Sequence, residues 1–166
     1  MTIYLFLPTA NRQLPINDLS LTDFRRAFAL LTAPSVASLT GDYRAEFVGP
    51  AWLRRWAPPG LAVTPLAGWL GKAFDDQGNG VNLVRRRGAV QRVLPMRAAA
   101  RPSRVDGRPG VTLTYAPGSA FPFPYVMDEL RRIDADTLLG LSFVTEPRLS
   151  GLTLPFLLRR MTAAFG

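Results

Sequence analysis

Short segments in which apolar and polar residues alternate recur along this chain, and they limit its possible folds more than any other feature. The clearest are residues 42–48, 111–115 and 138–144, whose patterning is typical of β-strands. Turn-forming residues separate further candidate strands at 70–74, 81–84, 90–97 and 154–159. Short strands repeated in this way predict a mainly β fold, either an antiparallel barrel or a strongly curved sheet.

One helix is predicted ahead of the strands. Its apolar residues recur at spacings of three and four, at Phe24, Ala27, Phe28 and Leu31. Either Asp18 or Thr22 is a suitable N-cap, and Pro34 marks the end of the helical pattern. We expect residues 1–17 to form an irregular arm, because prolines interrupt them.

The chain length of 166 residues suits one domain, 1–166, with the arm and helix in 1–36 and a barrel in 37–160. Two segments are less regular. Residues 51–56 predict a short helical turn that stops at the two prolines following it. Residues 125–132 fit either a short helix or an irregular strand, since prolines precede them.

The sequence contains no histidine and no cysteine, which excludes many kinds of functional site. Ser-His-Asp and Cys-His nucleophile systems are impossible, and so are disulfides, zinc fingers and iron–sulfur clusters. Any acid–base catalyst must be a carboxylate, a tyrosine or the single lysine, Lys72. The Asp- and Gly-rich residues 75–80 lack the glutamate that a calcium loop of the EF-hand type needs, so we expect a hairpin turn, with no metal and no cofactor.

The formal net charge is +8, and it is concentrated in one part of the chain. Residues 85–108 hold eight arginines against one acid, Asp106. An anionic partner is therefore conceivable. The same segment contains no aromatic residue, whereas proteins that bind single strands place stacking rings among their charges. We therefore expect a solvated basic surface, and nucleic acid is not an expected partner.

No apolar run in the sequence is long enough to predict a transmembrane helix. The first eight residues lack the basic start and the long apolar stretch of a secretory signal. We therefore expect a cytoplasmic location. The sequence carries no indication of oligomeric state.

Three stretches resemble a known family. Residues 68–74, Gly-Trp-Leu-Gly-Lys-Ala-Phe, are similar to the W-x-G-K-x-F element of small bacterial GXWXG-type proteins. Residues 128–140 look like the D-x-F-R-x-V-D segment, ending in glycine, that follows later in that family, and residues 156–159 resemble its closing strand. The similarity covers residues 37–160.

The motif that names the family is altered in this chain. Tyr43 replaces its tryptophan and Ala45 replaces its second glycine. The resemblance implies an antiparallel lipocalin-like, or calycin-like, β-barrel of undefined activity. It brings no catalytic residues with it.

Side chains facing the interior of such a barrel are the candidate ligand-binding residues. Trp69 and Phe74 lie five residues apart, so both face inward only if a bulge near Gly71 breaks the alternation. Tyr43 would either plug one end of the barrel or serve as an ordinary core aromatic.

Lys72 has two interpretations. In an apolar pocket its pKa would be lowered, and the amine would act as a base or a Schiff-base nucleophile. At the barrel mouth its stem would lie along the indole of Trp69, and its ammonium would meet the polar head of a bound acid. We expect the second arrangement.

Three more residues complete the candidate ligand site. Glu46 is either an inward carboxylate with a raised pKa or an ordinary outward surface residue, and a pairing with Arg97 or Arg44 is a third alternative. Tyr115 ends an alternating segment and is a candidate ligand-site residue, and an inward Glu46 beside Lys72 or Tyr115 would favour an enzyme. The charged residues between 128 and 136 are expected to form a salt-bridged surface turn, the alternative being a network across the barrel mouth.

These features favour one function and leave two alternatives. The favoured function is binding of a small hydrophobic or amphipathic, lipid-like molecule in a barrel cavity. The first alternative is a cofactor-independent enzyme of cyclase or isomerase type, acting on a lipid-like or polyketide-like substrate in the same cavity. The second is a basic surface module for nucleic acid or an anionic membrane.

Overall fold

The computed structural model describes residues 2–7, 11–145, 153–163 and 165. The described chain begins with two short antiparallel strands, β1 (Tyr4–Leu7) and β2 (Arg12–Pro15), followed by helix α1 (Leu21–Leu30). The expectation of an irregular arm is therefore wrong for these residues. Alternate side chains of β1 are buried, which gives this strand the apolar face that a sheet needs.

The rest of the chain forms a closed barrel of eight antiparallel strands. Each strand pairs with the next along the chain, and the last pairs with the first, so no edge is left unpaired. A second helix, α2 (Ala51–Ala62), connects the first two barrel strands. The strands are β3 (Gly41–Phe47), β4 (Trp69–Phe74), β5 (Asn79–Arg86), β6 (Ala89–Pro102), β7 (Pro109–Tyr115), β8 (Val126–Arg132), β9 (Thr137–Val144) and β10 (Thr153–Arg160).

The antiparallel order places the connections alternately at two ends of the barrel. We call one the sealed end; it carries the lead-in to β3 and the turns at 75–78, 103–108 and 133–136. We call the other the α2 end; it carries α2, the turn after Arg86, and the segment 116–125. Most of the fourth connection at the α2 end, 146–152, lies outside the described residues.

Two apolar clusters hold the fold together. The first fills the barrel and includes Tyr43, Leu113 and Phe156. The second lies outside it, where β1 and α1 cover the outer face of β9 and β10, and it includes Phe24, Phe28, Leu139 and Leu157. Neighbouring residues of β9 and β10 therefore serve different cores, because successive side chains of a strand point to opposite faces.

The α1 boundary and the course of α2 differ from expectation. Ser20 caps α1 through a capping box with Asp23, which neither predicted cap residue forms. The second helix continues through Pro58 and Pro59 to Ala62. The two prolines are exposed, so water can reach the carbonyl groups that lose their helical partners, and Leu61 beyond them packs against the barrel core.

The predicted bulge in β4 is present. The pairing register of β4 with β5 shifts between Trp69 and Gly71, and this puts Trp69, Lys72 and Phe74 on the same, inner face. Gly71 is required there because a Cβ atom at this position would lie only 1.8 Å from the Tyr43 carbonyl oxygen. Within the described residues, neither helix has the length and apolar character needed to span a membrane.

Candidate functional site

A cluster of polar side chains is buried inside the barrel, and Lys72 lies at its centre. Lys72 is 1% exposed, so the expectation of a lysine at the barrel mouth is wrong. The inner face of β4 directs the side chain across the barrel, where β5, β7 and β8 supply its partners. A buried ammonium needs such partners, because removing it from water without them costs several kcal/mol. Deleting one partner of a buried ion pair typically lowers the free energy of unfolding by about 3–5 kcal/mol.

The Lys72 ammonium has three polar partners. It lies 3.0 Å from an Asp128 carboxylate oxygen, and it donates to the Tyr115 hydroxyl at 3.0 Å and to the Asn82 side-chain oxygen at 3.1 Å. Ser142 donates to the second carboxylate oxygen of Asp128. The three ammonium protons are therefore all used, and the cluster carries no net charge when Lys72 and Asp128 are both ionised.

These contacts determine the protonation of the cluster. Burial alone would lower the pKa of Lys72, but attraction to Asp128 and the hydrogen bond with Tyr115 outweigh it and raise that pKa. Burial also raises the pKa of Tyr115, and Asp128 adds to the effect. Lys72 therefore holds its proton at neutral pH, which contradicts the interpretation of this amine as a base or nucleophile with a lowered pKa.

Aromatic rings surround the cluster. The ammonium of Lys72 lies 5.6 Å from the ring centre of Trp69 and 5.7 Å from that of Phe156. The Trp69 indole N–H donates to the Asn82 oxygen at 3.1 Å, and the ring packs against Phe47 at 5.4 Å. The cluster is therefore polar at its centre and apolar around it.

Tyr43 closes the barrel at the sealed end. This residue is 1% exposed and packs edge-on against Phe74, with ring centres 6.0 Å apart. The guanidinium of Arg160 lies 4.9 Å above the Tyr43 ring and donates to the Tyr43 hydroxyl. The same guanidinium donates to the backbone carbonyls of Ser38 and Thr40, which lead into β3. These bonds tie the first and last barrel strands together across the sealed end.

Two of the predicted site residues lie outside the barrel. Glu46 is exposed on the outer face of β3, 3.5 Å from the Arg159 guanidinium. Arg97 is exposed and donates to the Asn79 side chain near the sealed end. A surface cavity of about 230 Å³ lies beside Glu46 on the outer wall, lined also by Arg44, Ala45 and Arg159. The structure therefore brings together Trp69, Lys72 and Tyr115, with Tyr43 and Phe74 below them toward the sealed end.

The expected salt-bridged turn between residues 128 and 136 is partly wrong. Residues 126–132 form strand β8, and Asp128, Glu129 and Arg131 are each at most 2% exposed. Asp128 faces inward, whereas Glu129 and Arg131 face outward under other parts of the chain. Glu129 accepts hydrogen bonds from Ser103 and the backbone of Arg104.

Sequence reasoning did not assign Asn82, Asp128 or Ser142 to the interior. The signal was the alternation of β8, in which Asp128 shares its face with Leu130, a residue of the barrel core. Alternation does not identify the inner face of β5, because the neighbouring residues Asn82 and Leu83 are both buried, on opposite faces of the strand. Polar residues at inward positions are visible in the sequence only when the inner face of each strand is already known.

Comparison with known proteins supports the fold. The chain matches no protein-family model and no curated protein. It is similar to a crystal structure of a protein from Thermomonospora curvata, with a TM-score of 0.64 and 19% identity over 87% of this chain and 89% of that one. This likeness is one of fold. A complex of bovine odorant binding protein with a selenium-containing odorant matches with a TM-score of 0.37 and 11% identity over 80% of this chain and 76% of that one.

Proposed function

We propose that this protein binds a small hydrophobic or amphipathic molecule inside the barrel, between the buried cluster and the α2 end. The observation that carries the proposal is the Lys72–Asp128 ion pair with Tyr115 and Asn82, all buried in the barrel interior. Replacing a buried ion pair by apolar residues of similar volume often leaves the free energy of unfolding unchanged or raises it. A function in ligand recognition accounts for its presence.

The neutral overall charge of the cluster indicates the type of ligand. Asp128 already balances the ammonium, so a carboxylate entering the barrel would find no free positive charge. A hydroxyl or carbonyl group can instead share hydrogen bonds with Tyr115 and Asn82, while its apolar tail lies against Trp69. We therefore propose a ligand with a neutral polar group, in place of the bound acid that the sequence suggested. The GXWXG-like segments support the proposal that the chain is a divergent member of that family.

The proposal can be tested by following Trp69 alone. Trp52 and Trp56 are exposed on α2, so a Trp52→Phe/Trp56→Phe variant leaves Trp69 as the reporter inside the barrel. We expect dodecanol and methyl laurate to change its emission saturably and at lower concentration than lauric acid does. Native mass spectrometry should show a stoichiometry of one.

A matched pair of variants checks the role of the cluster. Lys72→Met alone leaves Asp128 buried without its partner and should cost about 3–5 kcal/mol of unfolding free energy. Lys72→Met/Asp128→Leu removes both charges, should recover most of that loss, and should bind dodecanol more weakly than the parent. Unchanged alcohol affinity in the double variant, or no saturable signal with any of the three probes, would contradict the proposal.

A second candidate is a proton-transfer enzyme, and one observation favours it. The Tyr115 hydroxyl lies 3.0 Å from the Lys72 ammonium and 3.4 Å from Asp128, an arrangement able to relay a proton. The raised pKa values of Lys72 and Tyr115 oppose this function, because both groups keep their protons at neutral pH. Since Lys72 is the only lysine, incubation with a fatty aldehyde and cyanoborohydride tests whether its ammonium can pass a proton to a neighbour and react as a free amine. We expect no adduct at Lys72; a Tyr115-dependent adduct there would favour the enzyme.

A further inference from the structure

Helix α2 presents an apolar side to solvent. Its packed side holds Leu53, which is buried, and Leu61, which contacts the barrel core. The other side carries Trp52 and Trp56, four residues apart and thus neighbours on one helix face. They are 52% and 64% exposed. Two neighbouring exposed tryptophans form a contiguous apolar patch, and such patches are found at interaction surfaces.

Other exposed apolar residues lie at the same end of the barrel. Val63, which follows α2, is 90% exposed, and Phe121 and Tyr125 of the 116–125 segment are 70% and 46% exposed. The rings of Phe121 and Tyr125 contact each other. Five of the eight large exposed apolar residues in the described chain therefore belong to the α2 end.

In the described connections at this end, every charged residue is positive. Residues 48–69, 84–88 and 116–126 contain no aspartate or glutamate, and they contain five arginines: Arg54, Arg55, Arg85, Arg86 and Arg87. Arg86 donates to the Pro65 carbonyl, which brings the turn after β5 against the segment that follows α2. Exposed aromatic residues and arginines thus share one end of the molecule.

We propose that the α2 end docks on the surface of an anionic lipid bilayer, with Trp52 and Trp56 inserted at the headgroup level and the arginines on lipid phosphates. Tryptophan prefers this interface because its ring is apolar and its N–H is polar. Arginines near the surface are attracted by anionic headgroups. Helix α2 therefore matches an anionic bilayer as an interfacial helix does, with its apolar side inserted and its basic residues at the flank. This docking does not depend on a ligand in the barrel.

A bilayer fits the surface better than nucleic acid or a second copy of the chain. Pro59 and Val63 extend the tryptophan face of α2 with aliphatic surface, which suits insertion into a bilayer. The face lies on a convex helix, whereas single strands bind along basic grooves. The five arginines would repel the same surface on a second copy.

Vesicle co-sedimentation tests the proposal. We expect the full chain to bind vesicles of phosphatidylcholine with 30% phosphatidylglycerol, and to bind pure phosphatidylcholine vesicles at least tenfold more weakly. Trp52→Ser/Trp56→Ser should reduce anionic-vesicle binding roughly tenfold or more. Arg54→Gln/Arg55→Gln should do the same, and its residual binding should depend less on salt.

Two matched variants control for general effects. Tyr4→Ser/Phe6→Ser removes two exposed aromatic residues from β1, and Arg25→Gln/Arg26→Gln removes an adjacent arginine pair from α1. Both should bind anionic vesicles within twofold of the parent. The proposal is overturned if the tryptophan variant binds as the parent does. It is also overturned if single-stranded DNA binds more tightly than the vesicles, or if the tryptophans instead mediate a dimer detected by sedimentation.

Discussion

The two ends of the barrel both combine aromatic residues with arginines, but these residues are buried at one end and exposed at the other. At the sealed end an aromatic residue, Tyr43, is buried and bound by an arginine, Arg160. Each of the two side chains is therefore a partner of the other. At the α2 end, Trp52 and Trp56 are exposed beside Arg54 and Arg55. The same residue types close the barrel at one end and form a candidate contact surface at the other.

The charges of the connections differ in the same way. The three sealed-end turns at 75–78, 103–108 and 133–136 contain five aspartates and two arginines. The three described connections at the α2 end contain arginines and no acid. The described connections therefore have a charge polarity along the barrel axis, negative at the sealed end and positive at the α2 end. Such a polarity orients a protein at an anionic surface more effectively than net charge does.

Truncating one aromatic residue at each end should give the largest contrast. Tyr43→Ala removes a buried ring that packs against Phe74 and Arg160, and should lower the free energy of unfolding by about 3–5 kcal/mol. Trp56→Ala should change it by less than about 0.5 kcal/mol. Urea titration followed by circular dichroism measures both. Equal losses would show that α2 stabilises the fold and that the two ends do not differ in this respect.

Two glycines with the same backbone conformation give a second, smaller contrast. Gly78 and Gly88 both have φ of +81° in hairpin turns, one at each end. A Cβ atom on Gly78 would lie 2.6 Å from Val36, whereas one on Gly88 would have no atom within 4 Å. Gly88→Ala should cost about 1 kcal/mol for the left-handed conformation alone. Gly78→Ala should cost roughly 1–3 kcal/mol more, since overpacking is added to it. Similar losses of stability in the two variants would mean that the Val36 side chain moves away from the added methyl group without cost.

The sequence predicts the fold better than it predicts the site, and the reason lies in what alternation records. Alternation marks Tyr43 and Leu113 as lying on a buried face, and pairing such segments in order produces the barrel. It does not mark β1, because a four-residue strand is too short to show a period. It also leaves β8 undecided between an irregular strand and a short helix, since charged residues on both of its faces are buried.

The position of Lys72 depends on partners that are distant in sequence. The bulge near Gly71 was predictable, and it places Lys72 on the inner face with Trp69. Whether an inward lysine lies at the mouth or at the centre depends on Asn82, Tyr115 and Asp128, which come from three other strands. Each of them alone resembles an ordinary surface or core residue. Their meeting results from the register of the closed barrel, which no local pattern contains.

The last contrast concerns an alkaline loss of stability to which the sealed end and the buried cluster both contribute. Burial raises the pKa of Tyr43, with the Arg160 charge partly opposing it, and burial together with Asp128 raises the pKa of Tyr115. The pKa of Lys72 is also raised. The folded protein therefore binds these protons more tightly than the unfolded chain does. Their contribution is complete below the ordinary values of 10.0 for tyrosine and 10.5 for lysine, and it is lost as pH rises through the folded values.

We expect the free energy of unfolding to fall above about pH 10, by at most about 1.4 kcal/mol per pH unit for each proton. Tyr43→Phe and Tyr115→Phe should each reduce this slope, and each should remove one late-ionising phenol from a tyrosinate absorbance titration. The comparison between the ends becomes sharper if Tyr115→Phe reduces the slope more, because Asp128 raises the pKa of Tyr115 whereas Arg160 lowers that of Tyr43. A slope unchanged in Tyr115→Phe would show that the pKa of Tyr115 is the same in the folded and unfolded states, which would contradict the effect of its burial.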